Sequence, residues 1–279
     1  MNMSAYLGRD QSPLTPEQWA LIDGTVTEVA RNTLVGRRFI HLFGPFGPGL
    51  QVVPNDTYEG VGTGTSDFKG EEEGAVIAAT GRNFIPLPII YKDFLLHWRD
   101  LETSRQLNIP LDVSPAAAAA HFCAEAEDRL IFLGAAGQNG LLNVEGRNGL
   151  ALGDWSAAGA AFATAVAAVE KLTTAGFYGP YAMVLSPRLY AQTYRVLGHG
   201  GLLEIDQMKK VMTAGVYQSP VIPEGKGVVV ACGPQNLDLA ISQDLVTAFL
   251  ETSKMNHYFR VFEILGLRIK RPGAICVLE

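Results

Sequence analysis

The chain has 279 residues, enough for one large domain or two modest ones. Hydrophobic side chains make up 48% of it and the mean hydropathy is +0.14, so a sizeable core is within reach. A net charge of −6, with no run of basic residues longer than two, excludes the basic face of a nucleic-acid binder.

Residues 1–14 read as a polar arm. Thr15 then caps a helix, Pro16 takes its first position and Gln18 completes a capping box. Trp19, Ile22, Val26, Val29 and Thr33 share one face, widened by Ala30 and Leu34, and Gly36 is expected to end the helix. Segment 44–86 is dominated by turn chemistry: GPFGPG, VPND, EGVGTGTSD and KGEEEG. Residues 50–53 and 75–79 are expected as the two strands of a hairpin. The flanks 50–53 and 85–90 are too apolar for a solvated linker, so this segment is expected to find its partner outside its own subunit. The acidic run Glu71-Glu72-Glu73 reads as solvated.

A long helix follows, with Ser114 as N-cap and Pro115 at the first position. Ala119, Phe122, Ala126, Leu130 and Leu133 define its expected buried face, and its five consecutive alanines admit another backbone closely. It is read as the spine of the fold. Residues 134–153 are rich in Gly and Asn and mark a boundary. A second Ala-rich helix is expected over 156–174, facing inward through Phe162, Val166, Val169 and Leu172. A strand at 181–185, a helix at 187–197, a break at 198–201 and a helix at 203–214 complete a small α/β unit. From 227 the pattern turns to strands: 227–232, 237–242, 244–251, 258–270 and 274–278. In the strand over 258–270, Phe259, Val261, Leu265, Leu267 and Ile269 share a face that Glu263 interrupts.

Motifs for chemistry are sparse. GxSxG, HExxH and a strand-borne GxGxxG are absent, and PEGKGV lacks the spacing of a phosphate loop. His121, Glu125 and Asp128 share a helix face with metal-ligand spacing, but a polar helix edge or subunit contact is the favoured reading. The Glu-x-x-His pairing of ferritin-like di-iron sites is missing. Cys123, Cys232 and Cys276 lack CxxC spacing and are odd in number, which points to a reducing compartment. No secretory leader opens the chain, and the longest apolar run, 157–169, is too short and interrupted for a membrane span.

The stretch YKDFLLHWRDLE, followed by PLDVS and the Ala-rich helix ending in AEDRLIF, resembles the encapsulins. These are bacterial and archaeal shell proteins with the Hong Kong 97-type phage capsid fold. The similarity extends to PLTPEQWALID, LVGRRFIHLFGP, GPYAMVLSPRLY, TAGVYQSP, LDLAISQDL and MNHYFRVFEILGLRIKRPGAICVLE, nearly the whole chain. The resemblance is to members that enclose ferritin-like iron cargo.

The resemblance implies an α+β capsid fold. Residues 1–43 would form an N-terminal arm and helix within the P-domain, 44–88 an extended E-loop lying along a neighbour, and 89–134 the P-domain with its spine. Residues 135–225 would form the A-domain and 226–279 a second P-domain segment. It implies a structural protomer, not an enzyme, of a closed icosahedral cytoplasmic shell. That shell would hold a cargo protein by a terminal peptide, without nucleic acid or membrane. The matching cargo groove is Leu34, Arg37, His41, Thr247 and Phe249. Charge reversal at Arg37 is expected to leave cages intact and lower loading. Gly198, His199, Gly200 and Gly201 would form a loop at the fivefold pore, where histidine makes the charge pH-sensitive. Some members bind flavin on a tryptophan where this chain has Leu96, so no cofactor is expected and Trp98 is read as packing. The rival readings are a phage capsid protein, a shell for a peroxidase cargo, and a soluble α/β enzyme using His199 or the His121 face.

Overall fold

In the computed structural model, residues 5–59, 64–74, 76–135, 137–197 and 201–279 are described. The helices are α1 (Pro16–Thr33), α2 (Trp98–Leu107), α3 (Ser114–Leu133), α4 (Ala160–Thr174), α5 (Pro187–Gln192) and α6 (Glu204–Val211). The first strands are β1 (His41–Phe43), β2 (Val52–Glu59), β3 (Ala78–Pro86), β4 (Ile89–Leu96) and β5 (Asn148–Leu150). Then come β6 (Tyr181–Leu185), β7 (Val196–Leu197), β8 (Leu202–Leu203) and β9 (Gly215–Gln218). The last are β10 (Gly227–Ala231), β11 (Leu237–Ser253), β12 (Asn256–Ile269) and β13 (Ile275–Leu278).

Two sheets organise these elements. One runs β1-β11-β12-β4 and the other β5-β13-β10-β6-β9, while β2-β3 and β7-β8 form separate two-stranded ribbons. The segment 226–279 is therefore shared: β11 and β12 build the first sheet, β10 and β13 the second. Strand β10 is the clearest case of sequence dictating place. Its GVVVA run has no polar alternation because both faces are covered. Val228 and Val230 join a core with Ile131, Phe132, Leu239 and Leu265, which welds the two sheets together. Val229 and Ala231 pack beneath α4 with Ala165, Leu172 and Met183. A third core lies under α1 and α3, where Trp19, Ile22, Ala120, Phe94 and Phe249 surround Phe259.

The capping box forms as expected. Gln18 N donates to Thr15 Oγ1 (3.3 Å) and Thr15 N donates to Gln18 Oε1 (3.0 Å). Helix α1 ends at Thr33, not at Gly36. Gly36 instead opens a short 3-10 turn, and a Cβ there would stand 2.5 Å from Ile131 Cδ1, so a larger residue would require that side chain to shift. Ser114 lies inside α3 and does not cap it; its N and Oγ donate to Asp112 Oδ1 (2.9 and 2.6 Å). Helix α4 starts at Ala160 because Ser156 is held in a turn by Asp154 and Gly159 adopts φ +90°. The helix expected over 187–197 stops at Gln192, after which the chain turns into β7.

The expected inward faces of the two Ala-rich helices hold in part: Ala119 and Leu130 of α3 and Leu172 of α4 are buried as expected, while Phe122 and Val166 are not. In α3 the buried stripe is Ala116, Ala119, Ala120, Cys123, Ala124, Glu127, Asp128 and Ile131, while Phe122 is 52% exposed. In α4 Ala161, Ala165, Ala168 and Leu172 are buried and Val166 faces out. Small side chains let these helices approach the sheets closely, and Phe122 and Val166 are left on the surface. The strands expected at 237–242 and 244–251 are one strand, β11. Its polar Ser242-Gln243-Asp244 stretch is absorbed as a bulge, where Ser242 Oγ donates to Gly47 O (2.6 Å).

The β2-β3 ribbon is antiparallel, from Val52 opposite Pro86 to Glu59 opposite Ala78. Its strands are longer than expected, and Ala75 lies outside the described residues. Among the described residues it is anchored at its base. Val53 packs with Leu87, Phe262 and Ile264, Asn55 Nδ2 donates to Ile269 O (3.1 Å), and Arg268 Nη1 donates to Pro54 O (3.1 Å). Beyond that base Phe84, Ile77, Val76 and Phe68 are all exposed.

Candidate functional site

Helix α1 crosses the face of β11 that carries residues 245, 247 and 249. Its N-terminal half covers Phe249, whose ring meets Phe259 edge-on at 5.4 Å. Its C-terminal half stands further off and leaves a cleft of about 370 Å³. Thr27, Ala30 and Leu34 form one wall, at helical spacing, and Leu245 with Asp244 forms the other. A second hollow of about 500 Å³ shares Thr27 and Leu245 and reaches Leu7, Arg9 and Val246.

The arm expected over 1–14 is strapped to β11 from Ala5 onward. Tyr6 Oη donates to Gln243 Oε1 (2.6 Å) and Leu7 is buried. Arg9 pairs with Asp23 (2.6 Å), donates through Nε and Nη2 to Thr247 O (3.0 and 2.8 Å), and lies 4.3 Å over the Trp19 ring. Residues 1–4 lie outside the described residues.

Of the five expected groove residues, Leu34 and Arg37 line the cleft. Thr247 and Phe249 are buried, at 0% and 8% exposure, and do not line the cleft. His41 is exposed on the edge strand β1, in register with Asp238, and does not reach the cleft. Thr27, Asp244 and Leu245 were not anticipated. Thr27 and Leu34 lie seven residues apart on the stripe that holds Ala30, a signal present in the sequence. Asp244 sits in the β11 bulge, which no periodicity announces.

Arg37 is tied down rather than free. Its Nε donates to Glu127 Oε1 and Oε2 (2.8 and 3.0 Å), and its Nη2 contacts Glu127 Oε2 and Glu263 Oε2 (both 2.8 Å). Its Nη1 donates to Asp244 Oδ1 (2.6 Å). One guanidinium thus joins the turn after α1 to α3, β12 and β11. Glu127 and Glu263 are both fully buried, so negative charge exceeds positive inside the protein. Burial first, and the Glu127 charge second, push the Glu263 carboxyl well above the usual carboxylate range, against the pull of Arg37. The expected tolerance of Arg37 to charge reversal is therefore corrected: an added carboxylate would face two buried ones.

Asp128 behaves similarly. Burial raises its carboxyl to about 7, opposed by hydrogen bonds from the amides of Gly36 (2.9 Å) and Val35 (3.0 Å). It therefore leaves the helix face it was expected to share with His121 and Glu125. Glu125 pairs with Arg129 (3.0 Å) and His121 is exposed near Thr33. Among the described residues no three His, Cys, Asp or Glu side chains are grouped to hold a metal. The three thiols are buried, and burial pushes Cys123 up to about 12 and Cys232 to about 11, which makes them poor nucleophiles.

Gly198, His199 and Gly200 of the expected pore loop lie outside the described residues. Gly201 is exposed at φ +71°, directly before β8. Leu96 is buried in the third core, and Trp98 opens α2 with 38% of its surface exposed, so it packs only in part. Among the described residues no helix is long and apolar enough to cross a membrane.

Residues 3–266 match the family Linocin_M18, described as encapsulating protein for peroxidase. The type 1 encapsulin shell protein EncA of Myxococcus xanthus is 50% identical over 279 residues, covering 99% of this chain and 97% of its own length. A diheme-cytochrome-encapsulin shell fusion protein of Kuenenia stuttgartiensis is 42% identical, over 95% of this chain and 74% of that protein. Among solved structures, the virus-like particle from Pyrococcus furiosus superposes with a TM-score of 0.76 at 22% identity, over 95% of this chain and 99% of that one. The capsid of Myoviridae phage XM1 gives 0.63 at 14% identity, over 85% and 88%. With a phage-capsid fold, and with half its residues shared with a named shell protein, the chain belongs to the encapsulin shell proteins and is structural rather than enzymatic.

Proposed function

We propose that this protomer closes into an icosahedral cage in the cytoplasm and retains a cargo protein by a peptide tail seated in the cleft beside α1. The observation that carries the assembly half is the β2-β3 ribbon, whose described apolar side chains beyond its base, such as Phe84, are exposed. Copies of the same chain supply their cover, as the E-loop does in the family. The cleft carries the cargo half. An apolar wall of Ala30, Leu34 and Leu245, closed off by polar groups, suits a few anchor side chains of an extended tail. Weak binding per site suffices, because a multimeric cargo engages many copies at once.

Ferritin-like iron cargo is the class we favour, with oxidation left to the cargo and iron entering through small pores in the shell. Support comes from the resemblance and from a Pyrococcus furiosus relative, 26% identical over 198 residues, whose name is a ferritin-like-encapsulin shell fusion protein. A peroxidase cargo is the second reading, favoured by the description of the matching family. Electron microscopy of the purified protein, with mass spectrometry of what co-purifies, tests both halves. Closed shells holding a ferritin-like protein, emptied by Leu34→Asp, are the expected result. Shells that load Leu34→Asp normally would overturn the cleft, and nuclease-resistant DNA inside them would favour a phage capsid.

A further inference from the structure

On the far side of Arg38 from the α1 cleft lies a second opening of about 550 Å³, between the end of α1, α3 and the five-stranded sheet. Arg38 lines both, so the two openings are neighbours across one side chain. Its character differs from that of the first cleft. Arg38 and His121 bring positive and titratable groups to it, and no carboxylate is among the described residues that line it, in a chain where acids outnumber Lys and Arg 28 to 22. Asp128, close behind, turns its carboxyl to the Val35 and Gly36 amides. Arg38 is pre-set. Its Nε donates to Leu34 O (2.9 Å), its Nη2 to Asn32 O (3.2 Å), and it stands 5.9 Å over the Tyr217 ring. Nη1 keeps its donors.

The aromatic groups decide what kind of anion fits. Tyr217 is already engaged, stacked on Phe39 (6.1 Å, 18°) and approached by Arg38 at 5.9 Å from its ring centre. Tyr190 meets Tyr194 edge-on at 5.5 Å. Neither offers a platform to a flat heterocycle. What remains is a cation above apolar walls, which suits a carboxylate beside an aliphatic group, that is, a peptide.

We propose that this opening is a second anchor subsite for the cargo tail, taking a carboxylate of the tail against Arg38 while its apolar residues fill the first cleft. This rests on the cleft reading above. The carboxylate is either the tail's own C-terminus or an Asp or Glu side chain.

The test co-expresses the shell with a fluorescent protein bearing the tail of the protein that co-purifies with wild-type shells, and reads guests per assembled shell. Gln218 is exposed and lines only the second opening, so Gln218→Glu sets a carboxylate against the guest without disturbing the core. Gln218→Glu is expected to lower loading roughly five-fold and Gln218→Lys to leave it at least unchanged. His121→Glu, from α3, repeats the test should the first variant fail to assemble. A tail with its acids changed to amides, and one with a short Gly-Ser extension, separate the two sources. The tail that has lost the relevant carboxylate loads poorly and no longer responds to Gln218→Glu. If Gln218→Glu and His121→Glu shells load fully while Leu34→Asp shells are empty, the subsite is wrong and the cleft stands. If Leu34→Asp shells also load, the cleft reading falls with it.

Discussion

Two antiparallel hairpins of this molecule have opposite fates. β11 and β12, 17 and 14 residues long, run through the middle of a sheet, and most of their side chains are buried. β2 and β3, 8 and 9 residues long, pair only with each other, and along β3 every position but one is exposed. Both hairpins pair the backbone groups that face each other, and β2 and β3 remain edge strands on their outer sides. Only the first also satisfies its side chains, through α1 and α3 on one face and the ribbon base with the arm on the other. A lone two-stranded hairpin is marginal in water. The contrast teaches that backbone pairing and side-chain burial are separate requirements, and that the described part of the ribbon does not meet the second within the protomer.

The largest expected effect breaks that contrast on the ribbon side. Phe84→Asp, 62% exposed in the protomer, should abolish closed shells in electron micrographs while leaving the circular dichroism spectrum of the protomer intact. Phe259→Ala does the reverse. Its ring is fully buried among Trp19, Phe94 and Phe249, so the protomer should lose about 3–5 kcal/mol in denaturant unfolding. Arg37→Ala should cost about 3–5 kcal/mol by leaving Glu127 buried without its cation, and adding Glu127→Gln should recover part of it.

A smaller effect reads out Asp128. Its folded carboxyl titrates near 7, above its unfolded value, so the fold holds a proton that the unfolded chain releases. Its contribution to stability is full at low pH and is lost as pH rises towards 7. Asp128→Asn does not titrate, so its Tm relative to wild type should climb through that window and then level off. A constant difference would contradict the assignment. Smallest of all, Arg82→Ala removes an ion pair to Asp56 across the exposed ribbon and should leave the protomer's Tm unchanged within error.

What could be read in the chain before its structure divides along the same line. Local chemistry was legible: the Thr15–Gln18 box and β6 at 181–185 stand where expected, and β10 at nearly the expected length. Burial direction was not. Glu127, Asp128 and Glu263 look like surface positions until Arg37 and the Val35 and Gly36 amides, 90 or more residues from two of them and over 200 from the third, are brought alongside. Helix faces built around Phe122 and Val166 failed because alanine, which scores low as a core former, is what close backbone approach selects. The same blindness affected the site. Leu34 lies on a readable helical stripe, whereas the burial of Thr247 and Phe249 depends on how other elements pack on β11, which no single segment encodes.

The central claim is that the ribbon over 52–86 is covered only by other copies of the chain. Cryo-electron microscopy of the purified protein tests it directly. The account predicts closed shells in which each ribbon lies along a neighbouring subunit with Phe84 buried. A stable 30.0 kDa particle in dilute buffer, its ribbon folded back on its own body, would contradict it.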